Sequence, residues 1–115
     1  MKDHHIESKK RLEHILSAIE NIEKFVKNET VETFIMNELL YQAVLYNFSV
    51  IGEAIIQVEN EKLNKVDYPW YKLRSFRNMI AHEYFNIELR AVWLTIKNNL
   101  PELKSAINNV LINEF

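Results

Sequence analysis

The stretch LLYQAVLYNFSVIGEAIIQV, residues 39–58, decides the fold. Its apolar residues recur at intervals of three and four positions, the repeat that places side chains along one side of an α-helix. The pattern predicts one long helix that begins after the N-cap Thr30 and continues through this stretch. The residues that form the stripe are Leu39, Leu40, Ala43, Val44, Phe48, Ile51, Ala54, Ile55 and Val58.

This predicted helix is apolar over more of its circumference than one buried stripe requires. Tyr41, Tyr46 and Phe48 add large side chains to it. Two interpretations follow: the surplus apolar surface is covered by a second copy in a homodimer, or the helix is the central one of a bundle. The sequence favours neither.

The remaining periodic segments complete an all-α protein. Pro is best tolerated in the first turn of a helix, so Pro69 is expected near a helix start, and Pro101 is expected to start or kink the last helix. The further helices are expected over residues 6–26, from Pro69 through Ile80 with a weakening pattern over 81–86, over 87–98, and from Pro101 through Leu111. We predict a single domain, residues 1–115, folded as a four- to five-helix up-and-down bundle.

Composition narrows the class of protein. A chain of 115 residues with 48% hydrophobic content suits one core, and its one Gly and two Pro leave few places for the tight turns of a sheet protein. Without cysteine there is no disulfide, thiolate nucleophile or Cys-based zinc site. No signal peptide or membrane span is expected, so a soluble, cytoplasmic protein is predicted. With a net charge of −2, any nucleic acid must be held by a local patch.

The segment Arg77-Asn78-Met79-Ile80-Ala81-His82-Glu83-Tyr84-Phe85 carries the chemistry. Cleaving RNA without a metal requires a base, an acid and a cation that offsets charge on the phosphate. Histidine, with an ordinary pKa of about 6.5, serves as acid or base near neutrality, and arginine offers a planar fork of donors to phosphate. Arg77 and His82 are therefore predicted catalytic residues, with Asn78 able to orient either one or the phosphate.

The spacing of this motif leaves its geometry open. Asn78 and His82 share a face of a helix, whereas Arg77 and His82 lie about 140° apart around it. Arg77 must reach round, or the helix must distort near His82, or the site must be completed across a dimer. A Tyr84 side chain near the same cleft would require the helix to be ending there.

The motif resembles the signature of the HEPN superfamily, and specifically its HepT branch. Three landmarks in the same order extend the resemblance over nearly the whole chain: residues 51–54 (Ile-Gly-Glu-Ala), Pro69-Trp70, and residues 100–103 (Leu-Pro-Glu-Leu). The resemblance implies a HEPN-like, metal-independent endoribonuclease toxin without a cofactor, whose motifs pair across a homodimer. It also implies an antitoxin partner, a minimal nucleotidyltransferase of the MntA kind, which adds AMP to Tyr84.

Other residues have a binding interpretation beside a structural one. The segment from Glu61 to Arg77 contains five Lys or Arg residues and only two Asp or Glu residues, so it carries a local positive charge. Lys72 and Arg74 are therefore expected to contact RNA phosphates. Trp70, Tyr71 and Phe76 could stack on unpaired bases or simply pack.

Glu53 could orient Arg77 or lie on an exposed or interface surface. His4, His5 and His14 are interpreted as surface residues, and no metal site is expected. The alternative function is a non-catalytic HEPN module that binds substrate for, or regulates, a nucleotidyltransferase.

Overall fold

The computed structural model describes residues 4–82 and 87–115, and every regular element in that part of the chain is a helix. The predicted all-α fold is confirmed, and the described residues form five helices of ten residues or more and two short ones. The helices are α1 (His4–Val26), α2 (Val31–Met36), α3 (Glu38–Ile56), α4 (Asn60–Leu63), α5 (Tyr71–His82), α6 (Leu89–Asn98) and α7 (Leu100–Glu114).

The predicted long second helix is wrong in one respect, because it is broken at Asn37. The Thr30 N-cap is confirmed: its hydroxyl accepts from the Thr33 amide at 3.2 Å, completing a capping box. Asn37, which follows the six residues of α2, adopts an extended conformation. Its amide donates to the Phe34 carbonyl, and its side chain accepts from the Leu40 amide at 3.1 Å. Apolar periodicity continues across this point, but an Asn side chain competes with the helical backbone for hydrogen bonds and here ends one helix and begins the next.

The segment before α5 is fixed by Trp70. Its indole Nε1 donates to the Leu63 carbonyl at 2.9 Å and to the Val66 carbonyl at 3.3 Å, and its ring lies 4.7 Å from that of Tyr68. Trp70 is therefore a packing residue, not a platform for bases. Because these contacts hold the chain through Trp70, α5 begins at Tyr71, two residues after Pro69.

The core is centred on α3, which packs against α1 on one side and α5 on the other, while α7 packs on α1 and α6. α2 contributes Phe34, whose ring lies 5.4 Å from that of Trp93 on α6. The fully buried side chains with the largest volumes are Phe34, Leu12, Ile15, Ile19, Ile22, Ile51, Ile55, Leu63, Leu100, Ile107, Val44 and Val92. Because α3 packs against α1, α2 and α5, the second periodic segment is the central helix of the described part of the chain.

α3 is also long and apolar enough, by length and composition alone, to cross a membrane. Half of that stretch is buried inside the domain, which identifies it as a core helix. Its outer side nevertheless exposes apolar residues, with Tyr46 69% and Leu39 85% exposed. The homodimer interpretation of this helix therefore remains a prediction.

Candidate active site

Arg77 of α5 is held by Glu53 of α3. The Arg77 Nε donates to Glu53 Oε1, and Nη2 forms an ion pair with the same carboxylate oxygen. The Arg77 side chain is 32% exposed and that of Glu53 51% exposed, so the pair lies at the surface where the two helices meet. Both interpretations of Glu53 thus hold, since it is exposed and it orients Arg77.

Asn78 holds the third nitrogen of the same guanidinium. The Arg77 Nη1 donates to Asn78 Oδ1 at 3.0 Å. A guanidinium has about five N–H groups, so the contacts to Glu53 and Asn78 leave about two of them for another acceptor. Arg77 and Asn78 are brought together as predicted, and the remaining N–H groups of the Arg77 guanidinium can donate to a phosphate oxygen.

Gly52 allows the approach of α3 to α5 at this point. A Cβ built on Gly52 would collide with the Arg77 Cβ, would lie 2.8 Å from its Cγ, and would lie 3.3 Å from the Leu73 carbonyl oxygen. Gly52 is the only glycine in the sequence, and it directly precedes Glu53, whose carboxylate binds Arg77. A glycine and a carboxylate side by side in an apolar helix were the sequence signal for this contact.

The motif residues that follow Asn78 are only partly described. α5 extends to His82, whose side chain lies outside the described part of the protein, as does Tyr84 within residues 83–86. The Arg77 side chain is turned toward Glu53 of α3, and its reach round α5 toward His82 stays a prediction. Helix distortion and completion across a dimer stay as predictions.

The two predicted RNA contacts lie on different sides of α5. The Arg74 Nη2 donates to Asn60 Oδ1 at 3.4 Å, whereas Lys72 lines a cavity between α5 and the α6–α7 junction. Residues two positions apart point about 160° away from each other on a helix, so Lys72 and Arg74 do not share one face of α5. Their role in RNA binding stays a prediction.

Two other lysines of this positively charged segment, Lys62 and Lys65, contact residues outside α5. Lys65 lies 3.8 Å from the Glu114 carboxylate, and the Lys62 ammonium lies 5.7 Å from the Phe115 ring centroid. Counting charges along the chain overlooks the fold, which places Lys62 and Lys65 against the last two residues of the chain and Arg77 against Glu53.

The two other aromatic candidates differ in exposure. Phe76 packs against Phe48 of α3, with ring centroids 4.8 Å apart, and so belongs to the packing between helices. Tyr71 is 66% exposed. Of the three aromatic residues considered as base platforms, Tyr71 alone presents most of its surface.

The sequence did not indicate Arg11. Together with His14 of α1 it lines a groove that also includes Glu53 and Tyr46 of α3. The Arg11 Nη2 donates to Glu7 at 2.8 Å, while its buried Nε has no partner within residues 4–82 and 87–115. A spacing of three on α1 places Arg11 and His14 on one face, but their approach to Glu53 is a tertiary feature.

Comparison with known proteins gives a consistent result. The family model for HepT-like ribonucleases matches residues 15–110. A protein of Caldanaerobacter subterraneus, provisionally named an RNase, is 34% identical over 106 residues, covering 90% of this chain and 93% of its own. The probable ribonuclease HepT of Thermococcus cleftensis is 34% identical over 94 residues, covering 81% and 86%.

A longer relative from Methanocaldococcus jannaschii combines two names, gamma-glutamylcyclotransferase and a provisional RNase. It is 33% identical over 101 residues, which are 87% of this chain and 46% of the relative, so the chain spans about half of that protein. No solved structure matches the chain.

Fold and site together define an all-helical domain that holds an exposed guanidinium between a carboxylate and an amide. The chain belongs to the HepT-like ribonuclease family.

Proposed function

We propose that this protein is a metal-independent endoribonuclease, the toxin of a toxin–antitoxin pair that acts on RNA in the cytosol. The observation that carries the proposal is the Arg77 guanidinium, fixed by Glu53 and Asn78 with donors left over, five residues before His82. Family membership and the names of the relatives support the same activity.

The reaction follows from the two side chains. A neutral imidazole removes the proton of a ribose 2′-hydroxyl, the 2′-oxygen attacks the adjacent phosphorus, and the bond to the 5′-oxygen breaks. An imidazolium gives its proton to that 5′-oxygen, leaving a cyclic phosphate and a free 5′-hydroxyl. The N–H groups of Arg77 that Glu53 and Asn78 do not occupy stabilise the charge that develops on the phosphate.

A single His82 cannot act as base and acid at the same moment, so the proposal includes a homodimer whose two copies supply one imidazole each. Its contact surface is the outer side of α3 around Tyr46, which is 69% exposed and lies between two grooves. Covering such an aromatic side chain is a common source of binding energy at an interface.

The dimer is tested by changing that surface. Tyr46→Glu places a charge in the proposed contact and is expected to give a monomer in sedimentation equilibrium, where the unchanged protein sediments as a dimer. Leu94→Glu, at another exposed apolar position, is the control and should leave the dimer intact. An unchanged protein that is monomeric at micromolar concentration would contradict the proposal.

Nuclease activity is tested directly. Purified, unmodified protein should cleave RNA in EDTA, and His82→Ala should lower the rate by at least about 100-fold because proton transfer is lost. His5→Ala, which removes a histidine from the first turn of α1, is the control. Circular dichroism checks that both variants keep their helices.

If the unchanged protein fails to cut RNA, and cells that express it alone grow with intact RNA, the non-catalytic alternative is the better description.

The proposed antitoxin is a minimal nucleotidyltransferase that adds AMP to Tyr84. Phosphates added beside Arg77 and His82 would compete with RNA for the cations and repel its backbone. Coexpression with the cognate transferase is expected to raise the intact mass by adenylate-sized steps. The Tyr84→Phe variant should gain none, while Tyr71→Phe, which removes an exposed tyrosine at the start of α5, should gain as many as the unchanged protein. Modification that persists in Tyr84→Phe would refute this assignment.

A further inference from the structure

A cavity of about 240 Å³ lies between α3, α5 and the α6–α7 junction. The candidate active-site residues Arg77, Asn78 and Glu53 do not line it, and Lys72 of its lining lies about 140° from Arg77 around α5. The cavity exists because α5 packs chiefly on α3, and no comparably close packing joins α5 to α6 or α7 in the described residues.

The size of the cavity suits an aromatic ring. Voids in packed protein interiors rarely exceed a water molecule, whereas an apolar cavity of about 150 Å³ accepts benzene. Phe48 and Phe76 form part of the wall, with ring centroids 4.8 Å apart and ring planes inclined at 55°. A planar ligand could therefore contact aromatic surface on entering.

The rim of the cavity is polar. Lys72 and Asn99 are exposed there, and neither the ammonium nor the side-chain amide has a partner in the described part of the chain. Thr95 donates its hydroxyl proton to the Ala91 carbonyl at 3.0 Å, which leaves its oxygen free to accept a hydrogen bond.

Tyr68 also lines the cavity. Burial, and secondarily the nearby Glu102 carboxylate, raise the pKa of Tyr68. Its hydroxyl is therefore a neutral donor at physiological pH. The rim thus offers one cation together with neutral donors and acceptors, above an aromatic and aliphatic interior.

We propose that this cavity binds a nucleotide, with the base in the aromatic interior and the phosphate at the Lys72 ammonium. A purely apolar ligand would leave Lys72 and Asn99 unmatched, whereas inorganic phosphate would leave the ring-sized volume empty. The nucleotide is either free or an unpaired nucleotide of an RNA strand, since both present the same chemistry. Because the cavity is separate from Arg77, binding here does not depend on the proposed cleavage.

Calorimetry and thermal unfolding test the site, with AMP and UMP as free ligands. The third ligand is a short single-stranded oligoribonucleotide, used with the His82→Ala background so that no cleavage occurs. Lys72→Ala is expected to weaken binding about tenfold, because a charge-assisted contact to phosphate is lost. Thr95→Phe, which fills the entrance with a ring, should abolish binding. Lys24→Ala removes a lysine of α1, which does not line the cavity, and should bind as the parent protein does.

The outcomes separate the two sources. Mononucleotide binding that raises the unfolding temperature, and that both cavity variants reduce, supports a free nucleotide as ligand. Sensitivity to the variants with the oligoribonucleotide alone supports an RNA nucleotide. If neither cavity variant changes the binding of any of these ligands, the proposal is overturned, whether or not the protein cleaves RNA. Should Thr95→Phe fail to fold, Lys72→Ala decides, since its side chain is exposed.

Discussion

Replacing Arg77 with lysine is expected to lower RNA cleavage by roughly 100- to 1,000-fold, although the positive charge is kept. The structure gives the reason. Arg77 contacts Glu53 through Nε and Nη2, donates to Asn78 through Nη1, and still has N–H groups for a phosphate. A lysine ammonium is a compact charge with three donors on one atom, so it cannot bridge Glu53 and Asn78 and present a planar fork as well.

The matched control is Arg90→Lys, the same change at an exposed position of α6 that belongs to no part of the candidate site. Its cleavage rate should stay within about threefold of the unchanged protein. Both variants should unfold at similar urea concentrations, since the Arg77–Glu53 pair is partly exposed and contributes little to stability. A normal rate in Arg77→Lys would show that the fork is not used in catalysis.

The second large effect is expected from Gly52→Val. A side chain at this position collides with Arg77 and approaches the Leu73 carbonyl, so α5 must move away from α3. Overpacking of this kind costs about 1–3 kcal/mol, and the same displacement moves Arg77 away from Glu53. We expect a lower urea midpoint together with a loss of cleavage comparable to that of Arg77→Lys.

Gly52→Ala distinguishes displacement from simple destabilisation. Alanine stabilises a helix relative to glycine by up to about 1 kcal/mol, which offsets part of the collision. Cleavage should therefore fall more than stability does. In combination with Arg77→Gly, which removes both the Cβ and the Cγ that the new side chain meets, the stability loss should be smaller than the sum of the two single losses. Additive losses would indicate that Gly52 and Arg77 do not meet.

Most of the fold could be predicted from helical periodicity, because tertiary packing here follows the apolar stripes of the long helices. The break at Asn37 could not, since the stripe runs across it and the outcome depends on a side chain capping α3 instead of pointing to solvent. The short α4 and the delayed start of α5 depend on the hydrogen bonds from the Trp70 indole to the Leu63 and Val66 carbonyl groups. The spacing of apolar residues in the sequence gives no sign of these hydrogen bonds.

The candidate site was predictable to the extent that its members are close in sequence. Arg77 and Asn78 are adjacent, and Glu53 stood out as a carboxylate in an apolar helix, so a contact with Arg77 could be considered. Arg11, by contrast, reaches this surface through the packing of α1 on α3. The separation of Lys72 from Arg74 needed the rotation of α5 to be known, and the cavity needed the relative placement of several helices.

The pairing of Arg77 with an exposed carboxylate has a consequence for ionic strength. The site carries little net charge before RNA arrives, and the neighbouring lysines are distributed over other surfaces. Few counterions would then be released on binding, so affinity for RNA should depend only weakly on salt, unlike that of a polybasic nuclease. Such a protein would choose its substrate by the fit of one phosphate group and its surroundings, with little contribution from long-range attraction.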